Sequence, residues 1–92
     1  MTHRFIASPK LTFATANADA KRLQAMLSKP QPGVIEIDLS KVTQCDSAGL
    51  ALLIEAKRGA MARGLQCEFI DMSSDIRHLA EFCGVEALLM SV

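Results

Sequence analysis

The segment from Val34 to Leu39, V-I-E-I-D-L, alternates apolar and acidic residues. A period of two residues with β-branched side chains is typical of a strand that has one wetter face. We therefore predict a strand over Val34 to Leu39.

A longer segment with a helical period follows this strand and begins at Asp46 and Ser47. Ser47 is the predicted N-cap, because its hydroxyl can accept a hydrogen bond from an N–H group that the first helical turn leaves unpaired. Gly64 is the predicted stop. A step of 100° per residue places a small and apolar set on the arc that faces the core: Gly49, Leu50, Leu53, Ala56 and Ala60.

The opposite arc of the same helix is predicted to face outward, and it contains Ser47, Ala51, Glu55, Arg58 and Ala62. Ile54 and Met61 lie at the border of the two arcs, so the serine has an apolar flank. This composition is typical of a docking surface. The predicted partner interface consists of Ser47, Ala48, Ala51, Ile54, Glu55, Arg58 and Met61.

The N-terminal third predicts a short edge hairpin and a helix. Two β-prone pieces, Arg4 to Ala7 and Leu11 to Ala14, are separated by a proline-containing turn. A helical period then begins at Ala16. Its apolar positions are Ala16, Ala20, Leu23 and Leu27, with Asn17 or Asp19 near the start and Pro30, Pro32 and Gly33 as the stop.

The C-terminal third predicts a strand and a further helix. Leu65, Cys67 and Phe69 alternate with polar residues as a strand. The following helix has candidate N-caps at Asp71, Ser73 and Ser74, an apolar face of Ile76, Leu79, Ala80 and Cys83, and a stop at Gly84. The tail from Val85 to Val92 fits a short helix or an edge strand, and the pattern does not choose between them.

The predicted element order is β-β-α-β-α-β-α in one domain, residues 1–92. Its strand-helix-strand crossovers should be right-handed, with parallel strands. Because the strands alternate instead of being apolar throughout, we expect helices mainly on one sheet face. The fold class is therefore small α/β.

Charge and composition disfavour nucleic acid and membrane insertion. Ten basic and ten acidic residues cancel, and the chain has no Trp and no Tyr, so it offers neither a phosphate-binding excess of charge nor stacking platforms. The longest apolar run, Ala48 to Ile54, is far shorter than the roughly 20 residues that span a bilayer. The N-terminus lacks the apolar core of a secretory signal. We expect a cytoplasmic protein.

Cysteine spacing and candidate catalytic groups argue against an enzyme. Cys45, Cys67 and Cys83 match neither a disulfide framework nor a metal knuckle, so we expect reduced thiols, with Cys67 and Cys83 in the core and no cofactor or metal. Ser47 lacks a G-x-S-x-G elbow. The available bases are His3, in an expected mobile terminus, and His78 on another helix. No glycine-rich phosphate loop is present.

Ser47 therefore remains a contact, a switch or simply a helix cap. Phosphorylation would add about −1.5 to −2 charges at a helix N-terminus, where unpaired N–H groups and the dipole tolerate an anion. A partner packed on the apolar flank would then be repelled while the domain stayed folded. As a mere cap, Ser47 would contribute about 1 kcal/mol.

The strand, the run V-T-Q-C-D-S-A-G-L-A-L-L and the helix after it resemble a STAS domain. The resemblance covers Val34 to about Leu89, with the D-S-A-G-L core at Asp46 to Leu50 and the ending I-R-H-L-A-E-F-C-G-V-E-A-L-L from Ile76. It implies a small single-domain STAS-like fold, with a mixed β-sheet and helices mainly on one face.

Two branches of this family differ in what they imply for Ser47. In anti-sigma-factor antagonists the matching serine is phosphorylated, and an anti-sigma factor kinase is the partner. In the MlaB-like branch the domain is a non-catalytic cytoplasmic subunit that binds the ATPase of the Mla phospholipid-transport ABC complex, and through it the permease. The matching residue then lies in that contact.

The MlaB-like branch is the more similar of the two. The runs A-L-L-I-E-A-K-R from Ala51 and L-A-E-F-C-G-V from Leu79 resemble it more closely, whereas A-T-A-N-A-D from Ala14 departs from the G-x-L-D-type turn of the antagonists. The resemblance thus implies a location at the inner membrane through a partner.

Overall fold

Parallel strand pairs and helices make up the part of the chain that the computed structural model describes, residues 2–28 and 33–90. The strands are β1 (Thr2–Ile6), β2 (Lys10–Leu11), β3 (Val34–Asp38), β4 (Gln44–Cys45) and β5 (Gln66–Ile70). The helices are α1 (Ala16–Leu27), α2 (Ser47–Ala62), α3 (Ser74–Phe82) and α4 (Glu86–Met90). The predicted α/β class is confirmed, and the predicted central strand and long helix are both present.

The central sheet has the strand order β1-β3-β5, and a second, two-stranded sheet pairs β2 with β4. A mixed sheet is expected from the resemblance, and in the described strands each of the three pairings is parallel. Ile37 pairs with Phe5 on one side and Phe69 on the other. Phe5 and Ile37 are buried beneath the helices. The other face is more exposed: Arg4 lies beside Glu36 there and donates to it at 3.1 Å, and Ile6 on the same face is 42% exposed. Helices therefore cover mainly the apolar face, as the alternation predicts.

The predicted hairpin between the first two strands is wrong. β1 pairs with β3, whereas β2 pairs with β4, so that Leu11 lies opposite Cys45. Ser8 in the connection is held against α1 instead: its N–H and hydroxyl donate to the Asp19 carboxylate at 3.2 and 2.6 Å. The chain therefore leaves the central sheet after β1 and starts a second one.

Asp19 is buried at the centre of a polar cluster that joins α1 to the end of β1. Besides Ser8, it accepts a hydrogen bond from Arg22 at 2.9 Å. Arg22 also donates to the carbonyl of Ile6 and lies 4.8 Å from the centre of the Phe5 ring. The buried carboxylate is thus fully engaged, which is the condition for burying charge without a large penalty.

The predicted helix ends agree with the structure at three places. Gly64 and Gly84 have φ of 73° and 72°, the left-handed conformation that glycine adopts most readily. The Ser73 hydroxyl caps α3 by accepting from the N–H of Ile76. The tail forms the short helix α4. The predicted stop at Pro30 and Pro32 lies outside the described residues.

The core-facing arc of α2 is confirmed, since its five predicted members are all buried. The prediction for Cys83 is wrong: it is exposed, because α3 ends at Phe82 and Cys83 follows as the C-cap. Cys67 is half-buried against the core. Burial raises the pKa of both Cys45 and Cys67 to about 11, so these thiols are protonated and weakly nucleophilic at neutral pH.

Leu53→Ala should lower the free energy of unfolding by about 2 to 5 kcal/mol, because the side chain is buried at the centre of the core and its removal leaves a cavity. Chemical denaturation measures the change. Glu55→Ala on the exposed arc of the same helix is the control and should shift stability by no more than about 0.5 kcal/mol. Equal losses from the two variants would contradict the assignment of the arcs.

Candidate docking surface

The first turn of α2 is capped by Asp46 and not by Ser47. Asp46 Oδ1 accepts hydrogen bonds from the backbone N–H groups of Ala48 and Gly49 at 2.9 and 3.0 Å. The predicted cap is therefore wrong by one residue: Asp46 has the extended backbone of an N-cap, and Ser47 is already the first helical residue. The interpretation of Ser47 as merely a cap is excluded, because the capping oxygen belongs to its neighbour.

Asp46 also ties α2 to the segment that follows β2. Its Oδ2 accepts from the N–H of Phe13 at 3.0 Å, while its own N–H donates to the carbonyl of Leu11. The hydrogen bonds from Phe13 and Gly49 hold the pKa of the Asp46 carboxyl below its usual range, because they favour the ionised form. One carboxylate thus fixes the start of the helix in space.

Gly49 permits a close approach that no other residue would allow. A Cβ at this position would lie 1.9 Å from the carbonyl oxygen of Leu11. Leu50, the next residue, is buried in the core. In the D-S-A-G-L run, the aspartate, glycine and leucine therefore have structural roles, whereas Ser47 is exposed and takes no part in the cap.

The structure brings the predicted interface residues together along one side of α2. The distance from Ser47 to Met61 along the helix axis is about 21 Å at 1.5 Å per residue. The exposed members are Ser47, Ala51, Glu55, Arg58 and Met61, and the half-buried members are Ala48 and Ile54. Serine and alanines occupy the first half of this surface, and longer side chains occupy the second half.

An open groove of about 390 Å³ adjoins the second half of this surface. It is lined by Ile54, Lys57, Arg58, Met61 and Leu88. Lys57 is buried, and its Nζ donates to the carbonyl of Leu89 in α4 at 3.1 Å. The lysine therefore helps to hold α4 against α2, and α4 supplies the opposite wall of the groove.

Sequence reasoning missed Phe13 and Leu88. Phe13 is 83% exposed, and its backbone N–H donates a hydrogen bond to Asp46 at the start of α2. Leu88 is 56% exposed and lies on α4. No periodic signal marks either residue, since each joins the surface through a contact between elements that are distant in sequence.

The remaining candidate groups lie away from this surface or are paired. Contrary to the expectation of a mobile terminus, His3 is half-buried in strand β1. His78 is exposed on α3. The two acidic residues of β3, Glu36 and Asp38, both pair with Arg4, at 3.1 and 3.8 Å. Within residues 2–28 and 33–90, no group of three His, Cys, Asp or Glu side chains is arranged to hold a metal ion. No helix in these two ranges is long and apolar enough to cross a membrane.

Fold and surface together define a small α/β domain that presents the outer side of one helix, headed by an exposed serine. A family model described as "Mlab, STAS domain" matches residues 7–90. The chain belongs to the STAS-domain family.

A solved structure supports the same fold. The crystal structure of a sulfate transporter family protein from Wolinella succinogenes superposes with a TM-score of 0.76 at 21% sequence identity, covering 95% of this chain and 70% of that chain. No curated protein sequence matches this chain.

Gly49→Ala should destabilise the domain, because the added methyl group would collide with the backbone of Leu11. We expect a loss of about 1 to 3 kcal/mol or more in urea denaturation. Gly59→Ala is the matched control, since its methyl group would meet only the ends of two flexible side chains, Leu27 at 3.2 Å and Arg63 at 3.7 Å. A helical Gly→Ala change otherwise stabilises by about 0.5 to 1 kcal/mol. Similar effects at both positions would contradict the close approach.

Asp46→Asn should weaken the acid dependence of stability. The folded-state pKa of Asp46 is depressed, so its contribution is fully present above the unfolded value of about 3.9 and is lost as pH falls through the lower folded value. Thermal unfolding followed from neutral pH into the acid range measures this dependence. The variant should have a lower Tm at neutral pH and a shallower decline in acid. Parallel curves would show that the Asp46 charge does not support the fold.

Proposed function

We propose that this chain is a non-catalytic cytoplasmic STAS subunit that binds and supports the ATPase of a phospholipid (Mla-type) ABC transporter maintaining outer-membrane lipid asymmetry. The observation that carries the proposal is the exposed side of α2, on which Ser47 is neither buried nor used as a cap. Through the ATPase, the subunit would be held beside the permease at the inner membrane.

The family description supports this choice among the roles of STAS domains. The matching model is described as "Mlab, STAS domain", and its match includes the whole of α2. The Wolinella succinogenes protein is described as a member of a sulfate transporter family, which is a second transporter setting for this fold. At 21% identity that structure supports the fold alone.

The chemistry of the surface suits a stable protein contact. Ala48 and Ala51 are small, so another backbone can approach the first two turns closely. Ile54 and Met61 add apolar area, and Phe13, whose backbone N–H is bonded to Asp46 at the start of α2, is an exposed aromatic residue. Aromatic residues and Met are enriched in interfaces. A subunit that binds only the assembled ATPase would stabilise that form by mass action.

Ser47→Arg should abolish association with the ATPase while leaving the thermal transition nearly unchanged, because the side chain is exposed and Asp46 supplies the cap. Co-expression with the Mla-type ATPase of the same organism, followed by affinity purification, measures association. Ser74→Arg is the matched control, since Ser74 is also the exposed first residue of a helix that its predecessor caps. Retained binding by Ser47→Arg would contradict the docking surface, and unfolding would contradict the exposed, non-capping position.

The second candidate function is an anti-sigma-factor antagonist regulated by phosphorylation of Ser47. Its supporting observation is an exposed hydroxyl outside the cap, accessible to a kinase. The first-turn N–H groups of Ala48 and Gly49 are already bonded to Asp46, so a phosphate would stand beside a carboxylate instead of using those groups. Mass spectrometry of the chain purified from its own cells separates the candidates. Phosphate on Ser47 together with a co-purified anti-sigma factor kinase would favour the antagonist.

A further inference from the structure

The groove between α2 and α4 has the form of a helix-binding site. Ile54, Arg58 and Met61 lie on its α2 wall at positions i, i+4 and i+7, and Leu88 lies on the α4 wall. Both walls are helix side chains. Addition of a β-strand needs an unpaired sheet edge, whereas an amphipathic helix lays its apolar face into a hydrophobic groove, such as the one that Ile54, Met61 and Leu88 line. The geometry thus favours a helix as the occupant.

The charges that line the groove are both positive. Lys57 and Arg58 line it, and among the described residues no carboxylate does. Lys57 is buried and bonded to Leu89, so Arg58 is the cation that faces solvent, with 74% of its side chain exposed. Its ion pair with Glu55 is long, at 3.5 Å, and both side chains are exposed. Exposed ion pairs of this kind contribute little to stability. A carboxylate from an occupant can therefore replace Glu55.

We propose that the ATPase docks with an amphipathic helix that inserts an apolar side chain between α2 and α4 and pairs a carboxylate with Arg58. This inference rests on the proposed function and extends the interface from α2 onto α4. The bond between Lys57 and Leu89 preforms the groove by holding α4 in place. Preformed sites bind more tightly because less ordering is required on association.

Two substitutions test the groove in the purified complex of this chain with the Mla-type ATPase of its own organism. Leu88→Asp places a charge on the α4 wall, and Arg58→Glu reverses the charge that meets the helix. Each should weaken binding by about tenfold or more in a titration. Ala87→Asp and Lys21→Glu are matched controls at exposed positions outside the groove lining, and each should change affinity by no more than about twofold. Thermal unfolding verifies that all four variants are folded.

A photoreactive side chain at position 88 identifies the occupant. Cross-linking to a helix of the ATPase with an acidic residue within one turn of the linked position supports the proposal. Changing that acidic residue to arginine should restore binding to Arg58→Glu. Cross-linking to a loop or strand would overturn the proposal.

The outcomes separate this inference from the proposed function. If Ser47→Arg abolishes the complex while Leu88→Asp and Arg58→Glu leave affinity unchanged, the groove inference fails and the proposed function stands. If the unsubstituted chain forms no complex with the ATPase, both fail. If the chain alone forms a dimer that Leu88→Asp dissociates, the occupant is a second copy, and the inference is overturned.

Discussion

The position of α2 depends on the carboxylate of Asp46. Its oxygens accept from three backbone N–H groups, two in the first turn of α2 and one at Phe13. The helix start is thereby fixed against the segment after β2, close enough that Gly49 lies against the backbone of Leu11. Because Asp46 supplies the cap, Ser47 remains at the surface with its hydroxyl outside the cap.

Local periodicity predicted the parts of the fold that repeat over many residues. The sixteen residues of α2 repeat the helical period often enough to separate its buried and exposed arcs, and Gly64 ends the helix through a backbone conformation that glycine adopts readily. Local periodicity does not predict which strands pair when they are distant in the sequence. The strands β2 and β4 have two residues each, too few to show an alternation of apolar and polar positions. In addition, β1 and β2 pair with strands far along the chain instead of with each other.

The candidate docking surface likewise has one part that the sequence pattern predicts and another part that it does not. Residues on α2 were predictable because one helical period places Ser47, Ala51 and Arg58 on the same side. The choice of cap was not predictable, since Asp and Ser are both strong N-caps. They are distinguished by the hydrogen bonds that Asp46 accepts and by its extended backbone. Phe13 and Leu88 come from other elements, so their place on the surface depends on tertiary contacts that the sequence pattern does not contain.

The two ends of this surface differ in how firmly they are held. A helix of five residues does not persist alone in water, so α4 owes its order to packing, through buried Leu89 and the bond from Lys57. The Ser47 end is anchored by backbone hydrogen bonds to two elements. Segments with fewer buried contacts open more readily than the core. The α4 wall of the groove is therefore preformed only while Leu89 stays packed and bonded to Lys57, so a change that loosens this contact would remove one wall of the partner site and leave the Ser47 end in place.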